Sequence, residues 1–406
     1  MTGSKFAIVG GGMVAGYAAK QLVETGLKSG ELTILSADTA IPYERPPLSK
    51  SFLAGKDTEE GIRINPEDFY REHGIEIRLG CTVTRVDPNQ KRLTLQSGEK
   101  CAFEKVVIAT GSRPRTLSVP GASLAGVRYL RTLDDAKAIR DLAAGAKRAV
   151  VIGGGFIGME VASVLAQKGI ETTLAMREDR AWKQFFTPEM SAFFEGYFSA
   201  RGVRFRKSAA IRQMRGQHKV ESVEFDDGSI SCELVVAGIG AEPVTDFLGG
   251  SGIDVNNGVV VNEFLETKAP GILAAGDIAN YPDVLFGKRR RVEHWDNALS
   301  QAQHCAKALT GERAPFRHVP YFFSDVFDLS YEFWGDPEGA SRVVHRGDPA
   351  TNSFSAWWVK ETRLVAAFVM NRPGEERDLA PVWIEKQQSV DAGRLAKETN
   401  PAAAAA

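Results

Sequence analysis

Apolar runs that end in glycine turns stand at the start and in the middle of the chain. Near the start, "KFAIVG" predicts a strand, the stretch to about Leu27 a helix, and "ELTIL" a second strand. After Lys147 the same order returns, with "RAVVIGG", a helical stretch to about Lys168, and "ETTLAM". A strand, a helix and a strand in this order form a βαβ unit. The pattern therefore predicts an α/β chain with two domains of similar design.

Three further apolar runs are strands that end in glycine turns. They are "FEKVVIATGSRPR" (Phe103–Arg115), "CELVVAGIGAEP" (Cys232–Pro243) and "PGILAAGDIANYP" (Pro270–Pro282). The strand of the third run ends in Gly276 and Asp277, and Asp277 either caps a following helix or accepts a hydrogen bond from a ribitol hydroxyl.

From about Pro315 the hydrophobic pattern changes. Aromatic residues cluster and alternate with polar ones in "VPYFFSDVFDLSYEFWGD" and "FSAWWVK", which is typical of half-buried strands. We therefore expect a separate antiparallel C-terminal domain, followed by a helix over "DLAPVWIEKQQ". The closing "PAAAAA" is of low complexity and is assigned no role.

The glycine spacing gives both βαβ units a chemical meaning. The GxGxxA and GxGxxG positions are filled by Gly10, Gly12 and Ala15, and by Gly153, Gly155 and Gly158. The first glycine permits the tight turn, the second lets the backbone approach a pyrophosphate, and the small third residue lets helix and strand pack closely. The pyrophosphate then lies on the N-terminal amides of the helix. Two copies between strand and helix predict that the protein holds two nucleotides.

Composition narrows the class of partner. The 406 residues, 43% of them hydrophobic, suffice for two or three domains. The 50 Lys and Arg nearly balance the 51 Asp and Glu, so the net charge of -1 leaves no footprint for nucleic acid or an anionic membrane. A small neutral or anionic substrate, or a small protein, suits this balance better.

The chain shows no targeting or metal signal. No basic and apolar leader precedes the first strand, and no run approaches the roughly 20 apolar residues of a membrane span, so we expect a cytoplasmic protein. The four cysteines lack metal-ligand spacing and are expected to be small buried hydrophobes, with no metal site; they are Cys81, Cys101, Cys232 and Cys305.

A set of stretches resembles one family. They are "GGGMVAGYAA", "IPYERPPLSK", "VVIATGSRPR", "YLRTLDDA", "GGGFIGME", "ILAAGDIANYP" and "RRVEHWDNA". The set resembles the FAD-dependent pyridine nucleotide oxidoreductases that include monodehydroascorbate reductase, the ferredoxin reductases of bacterial oxygenase systems and apoptosis-inducing factor. The resemblance covers essentially the whole chain and is closest to monodehydroascorbate reductase.

The resemblance implies an architecture and a reaction. Two Rossmann-like three-layer domains would bind FAD and NAD, and a C-terminal α+β interface domain would form one wall of the active site. Residues 1–115 and 245–314 would form the FAD-binding domain, residues 116–244 the NAD(P)-binding domain, and residues 315–406 the C-terminal domain. NAD(P)H would pass a hydride to FAD, and electrons would then leave one at a time.

The resemblance also assigns the FAD site. The turn at Gly10 to Gly12 would take the pyrophosphate, Arg45 would pair with it, and Asp38 would take the adenosine ribose. Lys50 would lie at the isoalloxazine, and Trp295 would cover the flavin ring. The remaining implied FAD-binding residues are Gly11, Met13, Val14, Val83, Arg131, Asp277 and Phe323.

Lys50 and Glu160 are the implied catalytic residues. Glu160 would face both Lys50 and the nicotinamide as a partly buried ion pair. Compensation of the helix dipole is the alternative interpretation of this acid, and we expect both effects. Glu293 and His294 resemble the pair that lies under the nicotinamide. The remaining implied nucleotide-binding residues are Gly153, Gly155, Ile157, Gly158, Glu178 and Gly240.

The choice of nucleotide depends on the residues that follow "ETTLAM". An acid about 20 positions after the glycines reads the ribose hydroxyl of NAD, whereas a basic residue accepts the extra phosphate of NADP. The stretch offers Glu178 beside Arg177 and Arg180. Because Glu178 falls in the register of the acid in monodehydroascorbate reductases, we expect NADH to be preferred and NADPH tolerated.

The electron acceptor is the open question. The disulphide reductases carry a redox cysteine pair where this chain reads "IPYERPPLSKSFLAG", so a thiolate relay is excluded and electrons must leave from the flavin directly. The resemblance to monodehydroascorbate reductase implies the ascorbyl radical, but that family has an arginine and a tyrosine where this chain has Leu299 and Phe323. Trp295, Ser324 and Asp325 resemble the ferredoxin reductases instead.

Two alternatives therefore stand beside an ascorbyl radical reductase. One is a ferredoxin reductase of an oxygenase or cytochrome system, for which "GKRRRVEH" (Gly287–His294) is either a solvated loop or a docking patch. The other is a redox-sensing NADH-binding protein like apoptosis-inducing factor, although this near-neutral chain lacks long basic patches. We expect a monomer or a homodimer.

Overall fold

The computed structural model describes residues 3–405 and divides the chain into two compact units. The first unit holds the residues up to Arg45, then Glu59–Arg113 and Glu242–Phe322. The second holds Pro46–Thr58, Pro114–Ala241 and the residues from Phe323 onward. The domain boundaries drawn from the sequence stay a prediction, and Pro46–Thr58, which they assign to the first domain, folds with the second unit.

The elements alternate between strands and helices over most of the chain. The strands are β1 (Gly3–Val9), β2 (Leu32–Leu35), β3 (Glu76–Arg78), β4 (Val83–Asp87), β5 (Arg92–Leu95), β6 (Lys100–Ile108), β7 (Ser112–Pro114), β8 (Val127–Tyr129), β9 (Arg148–Ile152), β10 (Glu171–Ala175), β11 (Val203–Arg206), β12 (Ile211–Arg215), β13 (Ser222–Phe225), β14 (Gly228–Ser231), β15 (Leu234–Ala237), β16 (Ala241–Pro243), β17 (Val259–Val260), β18 (Ile272–Ala274), β19 (Ala279–Asp283), β20 (Lys288–Arg290), β21 (Tyr321–Val326), β22 (Leu329–Gly335), β23 (Arg342–Asp348), β24 (Ser353–Lys360) and β25 (Arg363–Met370). The helices are α1 (Met13–Glu24), α2 (Ser51–Ala54), α3 (Glu67–Glu72), α4 (Leu133–Gly145), α5 (Phe156–Gln167), α6 (Pro188–Ser199), α7 (Trp295–Thr310), α8 (Gly374–Glu385) and α9 (Ala392–Lys397).

The first unit is built on a seven-stranded sheet. Strands β3, β2, β1, β6 and β18 run parallel, and β5 and β4 continue the sheet in antiparallel order from β6. Ile8 lies between Ile34 and Val107 in this register, and all three are fully buried. The small residues of α1 let that helix pack closely along α7. The first predicted βαβ unit is confirmed.

The second unit repeats this design in a five-stranded parallel sheet. Its order is β11, β10, β9, β15 and β8, with α5 packed against β9 and β10. Thr132 and Asp135 form a capping box at the start of α4, which satisfies two backbone N–H groups. The predicted α/β fold class with two Rossmann-like domains is confirmed by these two sheets.

A separate antiparallel sheet follows in the second unit, as the alternating aromatic pattern predicts. Its order is β21, β22, β25, β24 and β23, and α8 packs against β25. Trp357, Tyr331 and Phe368 are among the largest fully buried side chains of this sheet. The helix predicted over "DLAPVWIEKQQ" begins earlier than expected, at Gly374.

The chain end is packed, although its composition suggested no role. Buried Arg346 donates hydrogen bonds to the carbonyl oxygens of Leu395, Glu398 and Thr399 and forms an ion pair with Glu376 at 3.1 Å. Pro401–Ala404 form a short 3-10 turn in which Ala404 is fully buried. Low sequence complexity therefore does not mean an unpacked tail here.

Candidate functional site

The first glycine turn joins β1 to α1 in the first unit. Gly10 has a φ of +119°, and a Cβ at this position would overlap the carbonyl oxygen of Ala109, so only glycine fits. Gly12 is the N-cap of α1 and supplies no side-chain cap. The first turn of α1 also lacks an acidic residue, so its amides and the helix dipole suit an anion. Gly11 lies against Ser36, and Met13 and Val14 are buried as α1 begins.

Arg45 and Asp38 lie in the connection that follows β2. A Cβ on Gly12 would lie 3.6 Å from the Arg45 guanidinium, so this cation stands beside the glycine turn. Asp38 accepts hydrogen bonds from the Tyr43 hydroxyl at 2.9 Å and from the backbone N–H of Ala40 at 3.2 Å. A cation at the glycine turn suits the pyrophosphate of a dinucleotide, and a carboxylate after β2 suits its ribose hydroxyls. Val83 is buried at the start of β4.

Asp277 follows β18 in a short 3-10 turn, Gly276–Ile278, and the chain then enters β19. A strand and not an α-helix comes directly after Asp277, so the interpretation of Asp277 as a helix cap is wrong. The Ser112 hydroxyl donates to its carboxylate at 3.0 Å, and Arg291 donates to its backbone carbonyl at 2.9 Å. The carboxylate therefore stands at the carboxyl end of a parallel strand, the edge where such sheets bind ligands.

His294 is the N-cap of α7, and its ring stacks on Phe322 with 5.0 Å between ring centroids. Burial lowers the pKa of His294 to about 4, although Asp277 and Asp296 act in the opposite direction. The imidazole is therefore neutral at pH 7. Glu293 is exposed and pairs with Arg291.

Trp295 opens α7, and sequence reasoning missed the residue that holds it. The indole N–H donates to Glu44 Oε2 at 2.6 Å, and the Tyr17 hydroxyl donates to Glu44 Oε1. No signal in the sequence identifies Glu44, because its half-burial and its two donors are visible only in the folded chain.

The second glycine turn joins β9 to α5 in the second unit. Gly153 has a φ of +111°, and a Cβ there would overlap the carbonyl oxygen of Gly238. Gly155 is the N-cap of α5, with no side-chain cap and no acidic residue in the first turn. Gly158 packs on the Gly153 carbonyl, and Ile157 is exposed in the first turn of α5. Gly240 lies in the turn after β15 with a φ of +98°.

Glu160 is a buried carboxylate of this second unit. It lies beyond the first turn of α5 and accepts hydrogen bonds from Ser49, from Ser324 at 2.6 Å and from Lys50 at 3.2 Å. The Lys50 ammonium also lies 5.1 Å from the centre of the Phe323 ring. Compensation of the helix dipole falls off beyond the first turn, so specific partners rather than the dipole hold Glu160.

Among the charged residues after β10, two side chains are exposed and one is held by hydrogen bonds. Arg177 and Glu178 are exposed. Arg180 donates to the carbonyl oxygens of Phe186 and Lys183 and to the Ser191 hydroxyl. The expectation that Arg180 is free to meet a phosphate is therefore wrong.

Arg131 precedes α4, where its backbone N–H donates to Asp135.

The basic cluster before α7 is engaged as well. Arg289 donates to the carbonyl oxygens of Val261 and Asn280, and Arg290 pairs with Asp283 at 3.1 Å. Arg291 pairs with Glu293. These guanidinium groups serve the fold of β19 and β20, which favours a structural loop over a docking patch.

Three further features of the part of the chain that is described concern metal sites, membrane spans and reactive thiols. Between residues 3 and 405 no group of three or more His, Cys, Asp or Glu is arranged to hold a metal ion. No helix in this range is long and apolar enough to cross a bilayer. Cys101, Cys232 and Cys305 are buried, and burial raises the pKa of the Cys232 thiol to about 12.

Comparison with known proteins gives the family. Residues 4–302 match the family model of the pyridine nucleotide-disulphide oxidoreductases, and residues 321–405 match the reductase C-terminal domain. The chain belongs to the pyridine nucleotide-disulphide oxidoreductases. It is thus an NAD(P)H-dependent oxidoreductase of a family that uses a flavin and a nicotinamide cofactor. The two uncapped helix starts, Gly12 and Gly155, each fit the pyrophosphate of one such cofactor.

Relatives of two functional groups resemble the chain over most of its length. The chain is 37% identical to monodehydroascorbate reductase 4, peroxisomal, from Arabidopsis thaliana, over 91% of this chain and 80% of the relative. It is 34% identical to monodehydroascorbate reductase from Pisum sativum, over 97% of each. Among solved structures, it is similar to the ferredoxin reductase of the CYP199A2 system from Rhodopseudomonas palustris, with a TM-score of 0.94, 32% identity and 99% and 100% coverage. Putidaredoxin reductase in its covalent complex with putidaredoxin gives a TM-score of 0.93, 33% identity and 98% coverage of both chains.

Proposed function

We propose that this protein is an FAD-dependent NADH reductase that delivers electrons one at a time to a small ferredoxin-type protein. The observation that carries the choice of acceptor is Phe323, whose ring faces the Lys50 ammonium and offers no hydroxyl to a small anion. In the first unit, Leu299 of α7 likewise presents an apolar side chain where the resemblance has an arginine. Similarity to two ferredoxin reductases over nearly the whole chain supports the proposal.

The first glycine turn would hold FAD. The α1 amides and Arg45 would bind the pyrophosphate, Asp38 the ribose and Asp277 the ribitol. FAD, when bound, accepts a hydride and returns single electrons, which suits a two-electron donor and a one-electron acceptor. The chain contributes the binding groups, the neutral His294 and the exclusion of water by buried residues.

The second glycine turn would hold NADH. Glu178 is exposed after β10, where a carboxylate accepts from a ribose hydroxyl. Arg180 is held by three oxygen acceptors, which leaves Arg177 as the exposed guanidinium of the pair for an extra phosphate. A carboxylate and one cation at this place favour NADH over NADPH.

Lys50 and Glu160 would keep a fixed charge arrangement beside the reacting atoms. The Glu160 carboxylate is 5% exposed, and a buried carboxylate stays ionised only when a cation and hydrogen-bond donors compensate its lost hydration. Ser49 and Ser324 donate to it together with Lys50. The pair therefore orients the Lys50 side chain toward the Phe323 ring.

Reduction of the ascorbyl radical is the second candidate, because the monodehydroascorbate reductases share 34% to 37% identity over most of the chain. Steady-state assays with NADH decide between the two. One arm supplies a [2Fe–2S] ferredoxin with cytochrome c as the reporter, and the other supplies ascorbyl radical generated by ascorbate oxidase. The proposal expects the ferredoxin to be reduced with the higher specificity constant. A higher specificity constant for the ascorbyl radical would replace it with the second candidate.

A further inference from the structure

Glu44 gathers two aromatic hydrogen-bond donors in the first unit. Its Oε2 accepts the indole N–H of Trp295 at 2.6 Å, and its Oε1 accepts the hydroxyl of Tyr17. Tyr17 lies on α1 and Trp295 begins α7, so one carboxylate joins two helices and the connection after β2. All three side chains are half-buried.

The geometry restrains the indole in two independent ways. An indole has one donor and no acceptor, and its N–H donates to Glu44 Oε2 at 2.6 Å with the Tyr17 hydroxyl as a further contact. The Tyr17 ring meets the Trp295 ring edge to face, with centroids 6.3 Å apart and an angle of 83° between planes. This contact restrains the plane of the indole, which the hydrogen bond alone leaves free to rotate.

The carboxylate is suited to this task because it is an acceptor only. Hydrogen bonds to a charged acceptor are shorter and stronger than those between neutral groups. Burial and the neighbouring Glu44 carboxylate both raise the pKa of Tyr17, so its hydroxyl stays protonated and keeps donating. The Tyr17 hydroxyl donates to one carboxylate oxygen of Glu44 and the Trp295 indole to the other.

We propose that Glu44 is the positioning residue of Trp295, which fixes the indole at the flavin for transfer of electrons to the acceptor. This role rests on the proposed function and on the family resemblance, which implies that Trp295 covers the flavin ring. Glu44 acts through the indole and is not itself a catalytic residue. Loss of the Glu44 carboxylate frees the side-chain torsions of Trp295. An indole that samples several rotamers then no longer holds one position at the flavin, where electrons leave for the acceptor.

Four variants separate position from charge. Glu44→Leu removes both acceptors at similar size. Glu44→Gln removes the charge and keeps both contacts, because its carbonyl oxygen accepts from the indole and its amide donates to the Tyr17 hydroxyl oxygen. Glu44→Asp keeps the charge, but its shorter side chain cannot reach both donors. Tyr17→Phe is the matched control, since it keeps the bond between the indole and the carboxylate.

The first readout is structural and needs no turnover. Holoprotein labelled with 15N-tryptophan gives one indole N–H resonance for each tryptophan, and the one that vanishes in Trp295→Phe is assigned to Trp295. This resonance should move toward that of a free indole in Glu44→Leu and Glu44→Asp. It should stay near its original position in Glu44→Gln and Tyr17→Phe.

The second readout separates the two halves of the reaction, with ferricyanide as the one-electron acceptor. We expect Glu44→Leu to lower the oxidation rate of the NADH-reduced protein about fivefold to tenfold, with reduction by NADH unchanged and Glu44→Gln near wild type. A shifted Trp295 resonance with an unchanged oxidation rate would overturn the positioning role, as would equal losses in Glu44→Gln and Glu44→Leu. Wild-type holoprotein that NADH does not reduce would overturn the proposed function instead. If Glu44→Leu does not fold, Glu44→Asp and Glu44→Gln make the same comparison.

Discussion

Lys50 Nζ lies 3.2 Å from Glu160 Oε1, and both side chains are largely withdrawn from solvent. Removal of one partner leaves an uncompensated charge in the other, which is costly away from water. We therefore expect Glu160→Gln to lower the free energy of unfolding of the second unit by about 3 kcal/mol. Chemical denaturation followed by circular dichroism measures this change.

The matched control is Glu171→Gln, which breaks an exposed ion pair with Arg204 in the same unit. Exposed ion pairs contribute little to stability, so this variant should unfold close to wild type. Similar losses for both substitutions would contradict the claim that burial gives the Lys50 pair its importance.

Glu178→Ala should weaken NADH binding more than NADPH binding. The substitution deletes the proposed ribose acceptor and leaves Arg177 to meet the extra phosphate, and one charge-assisted hydrogen bond is worth roughly 1.5 to 3 kcal/mol. Titration of the holoprotein with each nucleotide measures the two affinities. Arg177→Ala is the control, and it should weaken NADPH alone. Equal losses of NADH and NADPH in Glu178→Ala would show that this residue does not discriminate between them.

Restoring polar groups should raise the activity toward ascorbyl radical. Leu299→Arg adds a cation and Phe323→Tyr adds a hydroxyl at the positions where the monodehydroascorbate reductase resemblance expects them. One charge-assisted contact corresponds to an increase of about tenfold or more in the specificity constant of the double variant. Reduction by NADH, followed by stopped-flow absorbance, should keep its rate. A wild-type protein already fast with ascorbyl radical would contradict this assignment of the acceptor contacts.

His294 should make stability depend on pH between about 4 and 6.5. Its pKa is about 4 in the folded protein against an ordinary value of 6.5 in the unfolded chain, so the unfolded chain binds more protons in this window. Stability therefore falls as the pH falls from 6.5 toward 4. The His294→Gln variant lacks this contribution, so its difference from wild type should change by roughly 2 kcal/mol between pH 6.5 and 4.5. Denaturation curves at these two pH values measure the difference in unfolding free energy between each variant and wild type. This difference should be the same at both pH values for the control variant, exposed His218→Gln, and should change for His294→Gln.

Local patterns predicted the two nucleotide-binding βαβ units because each is encoded within one stretch of strand, turn and helix. The Gly10 and Gly153 turns need positive φ, and this requirement is visible in the sequence as glycine. The bond between Glu44 and Trp295 was not predictable in this way, since it joins residues 251 positions apart. It depends on how α1 and α7 pack, which no single stretch encodes.

The hydrogen-bond partners of individual side chains also could not be predicted from the sequence. Arg180 and Arg289 look like free cations along the chain, yet both donate to backbone carbonyls of the fold. The low-complexity tail was assigned no role from the sequence, yet Ala404 is fully buried and Arg346 bonds the carbonyl oxygen of Thr399 just before the tail. Composition shows that arginines are present. It does not show which backbone carbonyl oxygens tertiary packing brings within hydrogen-bond distance of each arginine.

The central claim is that one flavin takes electrons from NADH and gives them singly to an acceptor. The most direct measurement is anaerobic stopped-flow mixing of the purified holoprotein with NADH, followed by a second mix with oxidised [2Fe–2S] ferredoxin. The account predicts that NADH bleaches the visible flavin absorbance and that two ferredoxins are reduced as it returns. A protein that releases no FAD on denaturation, or whose flavin absorbance NADH leaves unchanged, would contradict it.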